Sequence, residues 1–216
     1  MNTWKRVPVA LAGTALFAVL ALASDLAPVK LPPPQTDGGK PLMQALKLRS
    51  TSRSFAPDPL PPQTLSNLLW AAWGINRPAE GKRTAPSARN LQEMDVIVVR
   101  ADGAFEYDAA GNSLQPLAPG DHRALTGVQP FVKDAPLTLL YVADRARMKG
   151  ASGDSAESWM WADAGFISQN VYLYCASEGL ATGVRALIDR PALAKALGLG
   201  EQKVILMAQC VGYPKK

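Results

Sequence analysis

The chain has 216 residues, of which 48% are hydrophobic and 19% charged, and its formal net charge is +5. This length and composition suit one globular domain with a sizeable core and exclude an intrinsically disordered chain. The positive charge suits an anionic ligand, but no Lys/Arg block is interleaved with aromatic residues as a single-strand nucleic-acid binder requires.

The first 23 residues have the pattern of a secretory signal peptide. Lys5 and Arg6 precede an almost uninterrupted apolar run over residues 7–23, and Ala21 and Ala23 satisfy the small-x-small rule for cleavage before Ser24. The pattern predicts removal of residues 1–23 and a periplasmic or secreted mature chain. An uncleaved membrane anchor is the alternative, although the apolar run is short for a membrane span.

Residues 24–41 are rich in proline and glycine, which predicts an extended linker or arm. Apolar residues at helical spacing over residues 42–46 then predict a short helix, which ends at the run Arg49-Ser50-Thr51-Ser52-Arg53-Ser54-Phe55. Two guanidiniums four residues apart, with hydroxyl residues between them, suit a phosphate or another oxyanion. The alternative interpretation is a solvated basic loop.

A second helix is predicted after the prolines of residues 57–62. Its apolar positions are Leu65, Leu68, Leu69 and Ala72, with Gly74 as the C-terminal cap, and Trp70 and Trp73 are interpreted as core residues. Residues 75–92 are polar and irregular, and a long loop of this kind more often has a function than serves only as a connection.

Three stretches read as buried strands: residues 95–100, 137–142 and 204–209. A turn over residues 101–103 predicts a hairpin after the first of them. Residues 113–136 have no clear pattern apart from a short helix over residues 121–126. Residues 180–188 read as a strand-like connection.

The longest predicted helix covers residues 154–179, with Asp154 as its N-terminal cap. It is apolar on nearly every face, which predicts burial partly by a second subunit. Asp189 is the predicted cap of a last helix that ends at Gly198.

Cys175 and Cys210 lie in apolar runs and are interpreted as buried thiols; a single disulfide is the alternative in an exported protein. With His122 as the one histidine, the sequence offers no metal-binding cluster.

In this order, the motifs resemble those of the nitroreductase superfamily of FMN-dependent oxidoreductases. Residues 49–55 match its R-x-S/T-x-R/K-x-F loop and residues 86–92 its P-S-x-x-N-x-Q loop, while residues 178–183 and 209–214 resemble its post-helix turn and its closing strand. The resemblance covers residues 42–216. It implies an α/β fold of three layers, with a mostly antiparallel sheet flanked by helices and a long central helix at a homodimer interface.

The resemblance also implies an FMN site shared by two subunits. The implied FMN-binding residues are Arg49, Ser50, Thr51 and Arg53 from one subunit, Pro86, Ser87, Ala88 and Asn90 from its partner, Arg185, Ala186 and Leu187 at flavin N5 and O4, Gln129 at the ribityl chain or ring, and Lys215 at the phosphate.

Three of these residues have alternative interpretations. Arg53 could form an ion pair with Asp58 or Glu106, and Asn90 could cap its own turn. Arg185 has two possible roles: it contacts a substrate anion, or it forms a structural ion pair.

The activity implied by the resemblance is a ping-pong transfer of two electrons through FMN to a nitroaromatic or quinone, with no protein side chain as acid or base. An exported flavin-binding protein without turnover is one alternative, and a dimeric interaction module without flavin is another. Residues 69–75 also resemble the azoline-dehydrogenase branch, although the catalytic Lys-Tyr pair of that branch is not found. Export would separate the protein from cytosolic NAD(P)H, so the electron donor stays open.

Overall fold

The computed structural model describes Met1 and residues 26–215. The predicted signal peptide, apart from Met1, and Lys216 lie outside the described residues. Among the described helices, none combines the length and the hydropathy that a membrane crossing requires.

A seven-stranded antiparallel sheet is the centre of the fold, with the strand order β1-β6-β5-β4-β7-β9-β8, and β2 and β3 form a separate small hairpin. The strands are β1 (Val29–Lys30), β2 (Ile75–Arg77), β3 (Lys82–Arg83), β4 (Met94–Val99), β5 (Gly103–Asp108), β6 (Ser113–Pro119), β7 (Leu137–Asp144), β8 (Ala181–Arg185) and β9 (Lys203–Gly212). The helices are α1 (Leu42–Leu48), α2 (Pro62–Trp73), α3 (Gly153–Glu178) and α4 (Arg190–Ala196).

Alternating residues of the central strands fill two cores on opposite faces of the sheet. On β4, Val96 and Val98 face the core that contains α2 and α3, while Ile97 and Val99 face the core that contains Leu193 of α4. Side chains of a strand point alternately to the two faces, so one apolar run supplies both cores. The fold is therefore a three-layer α/β arrangement, as the family resemblance implies.

The strongest local patterns of the sequence are confirmed. The three buried strands and the hairpin at residues 101–103 form, and the longer strands run two or three residues further than predicted. The Asp189 side chain caps α4 by accepting a hydrogen bond from the Ala192 N–H at 3.1 Å. Cys175 and Cys210 are both free and buried.

The predicted cap of the long helix is wrong. The N-cap position is held by Ser152, whose extended dihedrals (φ −152°, ψ 159°) stop the helix, and Asp154 lies in the first turn. A carboxylate in the first turn still complements the positive end of the helix dipole, which explains why the pattern resembles a cap.

The arm that precedes α1 packs on the domain. Leu31 is buried, and the Asn112 side chain donates a hydrogen bond to the Pro32 carbonyl at 2.7 Å. Two residues of the arm, Val29 and Lys30, pair with the start of β6.

Candidate functional site

The run after α1, residues 49–55, crosses the outer edge of β8. Because β8 is the last strand of the sheet, its outward-facing backbone groups need partners. The Ser52 N–H donates to the Thr182 carbonyl at 2.8 Å, and the Val184 N–H donates to the Tyr172 hydroxyl at 3.0 Å. The run is therefore fixed on the sheet rather than free in solvent. We call it the arginine loop.

Tyr172 of α3 connects this loop to β8. Its hydroxyl lies 3.0 Å from Thr51 Oγ1, and since that hydroxyl accepts from the Val184 N–H, its own hydrogen is available to Thr51. The Arg49 guanidinium lies 5.3 Å from the centre of the Tyr172 ring. The sequence interpretation missed Tyr172, although a tyrosine in a helix apolar all round must still satisfy its hydroxyl.

Gly183 allows the arginine loop to approach the strand. A Cβ at this position would lie 2.6 Å from the Ser52 carbonyl oxygen and 3.4 Å from the Thr51 methyl group. The first distance is too short for any real contact, so the close crossing requires glycine here.

The end of the chain lies beside the same loop. Phe55 pairs with Pro214 as an isolated β-bridge, and the Ala56 N–H donates to the Tyr213 carbonyl at 2.9 Å. Through these contacts Lys215 and Arg53 come to line one cavity of about 460 Å³. The other residues of its wall are Ser54, Phe55, Pro57, Arg123, Phe131, Lys133 and Asp134.

The charge of Arg53 is not neutralised by a neighbour. Among residues 26–215 no carboxylate lies within ion-pair distance of it, so neither Asp58 nor Glu106 is its partner. Arg53 and Lys215 are exposed, and so is Ser50. This end of the site therefore offers positive charge and hydroxyl groups to an anion.

Arg185 points inward instead. It is 8% exposed, its Nη1 donates to Cys210 Sγ at 3.0 Å and its Nη2 donates to Thr126 Oγ1 at 2.7 Å. Burial lowers its pKa, and the neighbouring Cys210 thiol offsets this only in part. The structural ion pair, one of its two alternatives, is not found among the described residues.

Two buried polar atoms next to Gly127 lack partners among the described groups: Nε of Arg185 and Oε1 of Gln129. A Cβ on Gly127 would lie 2.5 Å from the first atom and 3.1 Å from the second. One unused donor and one unused acceptor suit a ligand that carries both kinds of group. Ala186 and Leu187, which follow Arg185, are exposed beside them.

The second predicted loop, residues 86–92, lies against α3. The Ala88 N–H donates to Asp163 Oδ2 at 2.8 Å, and Ser87 Oγ accepts from the Gln92 N–H at 3.0 Å. Asn90 Oδ1 accepts from the Gln92 side chain at 3.2 Å, so this contact of Asn90 stays within its own loop. We call residues 86–92 the proline-serine loop; Pro86 is exposed at its start.

Three residues of the proline-serine loop have left-handed backbones: Arg89 (φ 53°), Asn90 (φ 56°) and Gln92 (φ 50°). Such conformations are strained for residues other than glycine and persist only where surrounding contacts enforce them. The bond from Ala88 to Asp163 is one such contact, and the Arg89 guanidinium, 5.9 Å from the Trp159 ring centre, is another.

Within one chain the two loops dock at different places on α3. Asp163, which holds the proline-serine loop, and Tyr172, which holds the arginine loop, are nine residues apart on this helix. At 1.5 Å per residue this is about 13 Å along the helix axis. One chain therefore does not bring the two loops together at this helix.

Beneath the proline-serine loop lie two carboxyl groups that the sequence interpretation missed. Glu93 is fully buried and Asp163 is 1% exposed. Burial is the main cause that raises the pKa of Glu93 to about 7, and the neighbouring Asp163 carboxyl raises it further. No group of three or more His, Cys, Asp or Glu side chains within the described part of the chain is placed to hold a metal.

Comparison with known proteins agrees with this fold. The family model described as "Nitroreductase family" matches residues 46–213. A proposed nitroreductase of the archaeon Methanocaldococcus jannaschii is 29% identical over 177 residues, which cover 77% of this chain and 88% of that protein.

Two solved structures are also similar. A proposed nitroreductase of Ralstonia eutropha is 39% identical, with a TM-score of 0.85 and coverage of 91% of this chain and 93% of that one. A proposed nitroreductase of Desulfovibrio desulfuricans, solved in complex with FMN, is 23% identical, with a TM-score of 0.60 and coverage of 83% and 89%. The chain belongs to the nitroreductase family, a family of oxidoreductases.

Proposed function

We propose that this protein is an exported, homodimeric, FMN-dependent oxidoreductase that transfers two electrons to a small organic acceptor such as a nitroaromatic or a quinone. The observation that carries the proposal is the arginine loop. It is fixed on the free edge of β8 and presents Arg53, together with Lys215, without a carboxylate partner among the described residues.

The residues present fit FMN at both of its ends. Arg49, Arg53 and Lys215 would hold the phosphate and the pyrimidine edge of the ring, with Ser50 and Thr51 as hydroxyl partners. The unused donor of Arg185 and the unused acceptor of Gln129 suit a ligand with a polar edge. The FMN complex of the D. desulfuricans protein, which shares the fold, supports the choice of this flavin.

Bound FMN would supply two-electron chemistry as a hydride acceptor and donor at N5. The role of the chain is to place the cofactor and to set the charge around it. One guanidinium of the arginine loop would lie at the pyrimidine edge, where it would stabilise the negative charge that develops there, and the other would bind the phosphate. Ala186 and Leu187, which are exposed, would face the reacting edge. We propose no protein acid or base for this step.

A homodimer is proposed because one chain leaves apolar surface open on the helices that flank the site. On α1, Leu42, Met43, Leu46 and Leu48 are exposed, and on α3 so are Trp161 and Phe166. A second copy on these faces would bury them, and it could bring its proline-serine loop to the arginine loop of the first.

Export is proposed from the pattern of residues 1–23. A mature chain that begins at Ser24 in N-terminal sequencing would support it, and a chain that keeps residues 1–23 would contradict it. An exported enzyme would need an electron donor other than cytosolic NAD(P)H, or a special substrate.

Arg53→Ala tests the cofactor site. We expect the wild-type protein to be purified yellow and to release FMN on heating, and the variant to lose most of this FMN while its circular dichroism is unchanged. Arg145→Ala is the matched control, because Arg145 is an exposed arginine on another surface.

Full FMN occupancy in Arg53→Ala would contradict the site. A colourless wild-type protein would instead favour an interaction module without flavin. A yellow protein whose flavin is not bleached by NAD(P)H or by a quinol system, under anaerobic conditions, would favour a flavin-binding protein without turnover.

A further inference from the structure

The proline-serine loop rests on a pair of carboxyl groups rather than on a carboxylate and a cation. Asp163 Oδ2 accepts the Ala88 N–H at 2.8 Å. Glu93, which neighbours Asp163, is fully buried, and both of its carboxyl oxygens lack a hydrogen-bond partner among the described groups. Two ionised carboxylates in a buried site repel each other strongly, so the pair is stable when it shares one proton.

The charged groups around the pair do not remove this repulsion. Of the groups that shift the pKa of Glu93, the Arg147 guanidinium has the smallest effect, which is to lower it. The Nη2 of Arg147 donates instead to the Glu93 backbone carbonyl, at 2.9 Å, and to Asp95. Arg83, from the β2–β3 hairpin, donates to the Gln92 side chain at 2.8 Å and lies 4.8 Å from the ring centre of Trp73.

We propose that Glu93 and Asp163 form a proton-bound clasp that positions the proline-serine loop, so that a proton regulates how firmly the loop is held. With Glu93 protonated, its O–H donates to the Asp163 carboxylate, which in turn holds the Ala88 N–H. Loss of the proton leaves two adjacent anions, which repel each other and move apart, and the strained residues Arg89, Asn90 and Gln92 lose an anchor. The consequence for flavin rests on the proposed function, in which this loop covers FMN.

The direction of the pH effect follows from burial. Since the pKa of Glu93 is raised from its usual 4.5 to about 7, the folded protein holds this proton more tightly than the unfolded chain does. The stabilisation is complete below pH 4.5 and is lost as the pH rises through about 7. The clasp is therefore closed in mildly acidic solution and opens in mildly alkaline solution.

Glu93→Gln tests the clasp, because glutamine is a neutral donor of the same shape at every pH. Two measurements on the full-length protein are compared between pH 6 and pH 8.5: amide hydrogen exchange of the peptide that contains residues 86–92, and the Kd of added FMN. We expect protection and FMN affinity of the wild type to fall by about tenfold relative to Glu93→Gln over this range, because pH 6 lies one unit below the pKa of about 7 and pH 8.5 lies above it. Taking the ratio of the two proteins cancels the titration of the FMN phosphate and the intrinsic pH dependence of exchange.

Two further variants make the test specific. Asp163→Asn keeps an acceptor for the Ala88 N–H, and its amide group donates to Glu93. It should therefore flatten the pH profile as well, because an uncharged amide replaces one of the two carboxyl groups. Glu106→Gln is the control: burial also raises the pKa of Glu106, with a contribution from Asp95. Glu106 lies on β5 and accounts for none of the loop hydrogen bonds described above, so the pH profile of this variant should match the wild type.

The outcomes separate the clasp from the proposed function. If the exchange profile of the wild type equals that of Glu93→Gln and Asp163→Asn, the clasp is wrong. If exchange shows the pH step and FMN affinity does not follow it, the clasp stands, and the assignment of this loop to the flavin is wrong.

Discussion

Tyr172 is the residue on which the geometry of the candidate site depends most. Its hydroxyl accepts from the Val184 N–H and contacts Thr51 Oγ1, both at 3.0 Å, so one atom joins a helix, an edge strand and the arginine loop. The sequence predicts that Arg49 and Arg53 bind an anion, because both lie in a recognisable motif. It does not reveal Tyr172, because the groups that this tyrosine joins are far apart along the chain.

Tyr172→Phe should destabilise the protein and weaken its hold on FMN. The change removes the hydroxyl and leaves the Val184 N–H without that partner, which costs about 1–3 kcal/mol when the donor is buried. Urea unfolding of the apoprotein measures the stability, and fluorescence titration measures the Kd of FMN.

Tyr174→Phe is the matched control on the same helix. The Tyr174 hydroxyl donates to the Thr64 carbonyl at a longer distance, 3.3 Å, and that carbonyl lies within α2. We expect a smaller loss of stability and no change in FMN affinity. Equal effects of the two substitutions on FMN would show that Tyr172 has no special role.

At the scale of elements, the site is built where an edge strand is covered by a loop. The contact between β8 and the arginine loop is close enough that a Cβ at position 183 would lie 2.6 Å from the Ser52 carbonyl oxygen. A backbone group cannot move aside as a flexible side chain can, so a side chain here must displace the whole loop.

Gly183→Ala should therefore reduce FMN occupancy strongly while most of the sheet still forms. Absorbance of the released flavin measures the first effect and far-UV circular dichroism the second. Gly200→Ala is the control, because a Cβ at Gly200 would meet nothing within 4 Å. Normal FMN occupancy in Gly183→Ala would contradict the described crossing of the loop over β8.

Elements with a strong local pattern are predictable from this sequence, and elements that depend on distant partners are not. The apolar runs of β4, β7 and β9 and the capping Asp189 have local physical causes, and they form as predicted. Strand β6 contains Pro116, and a proline in a local pattern favours a loop. The structure tolerates this proline because β1 pairs only with Ser113 and Leu114, so the edge of β6 at Pro116 that faces away from β5 has no partner strand in the described part of the chain.

For the whole molecule, the central question is whether two chains form one site. The arginine loop and the proline-serine loop dock about 13 Å apart along α3 in a single chain, from a rise of 1.5 Å per residue. The sequence indicates both loops through their motifs, but it cannot give this separation, because the separation is set by the packing of α3. A second subunit is the simplest way to bring the two loops onto one flavin.

Phe166→Arg should convert the proposed dimer into a monomer that binds FMN poorly. Phe166 is 46% exposed in the single chain, so a charge there is tolerated by the fold but not inside an apolar interface. Light scattering coupled to size exclusion measures the mass. Glu201→Arg, an exposed change in the turn before β9, is the control and should stay dimeric. A Phe166→Arg dimer with full flavin would place the interface elsewhere.

Native mass spectrometry of the purified wild-type protein tests the central claim most directly, since it counts chains and cofactors in one particle. We predict a dominant species of two chains with two FMN molecules, which loses both flavins when the chains are separated. A single chain without flavin as the dominant species would contradict the shared site.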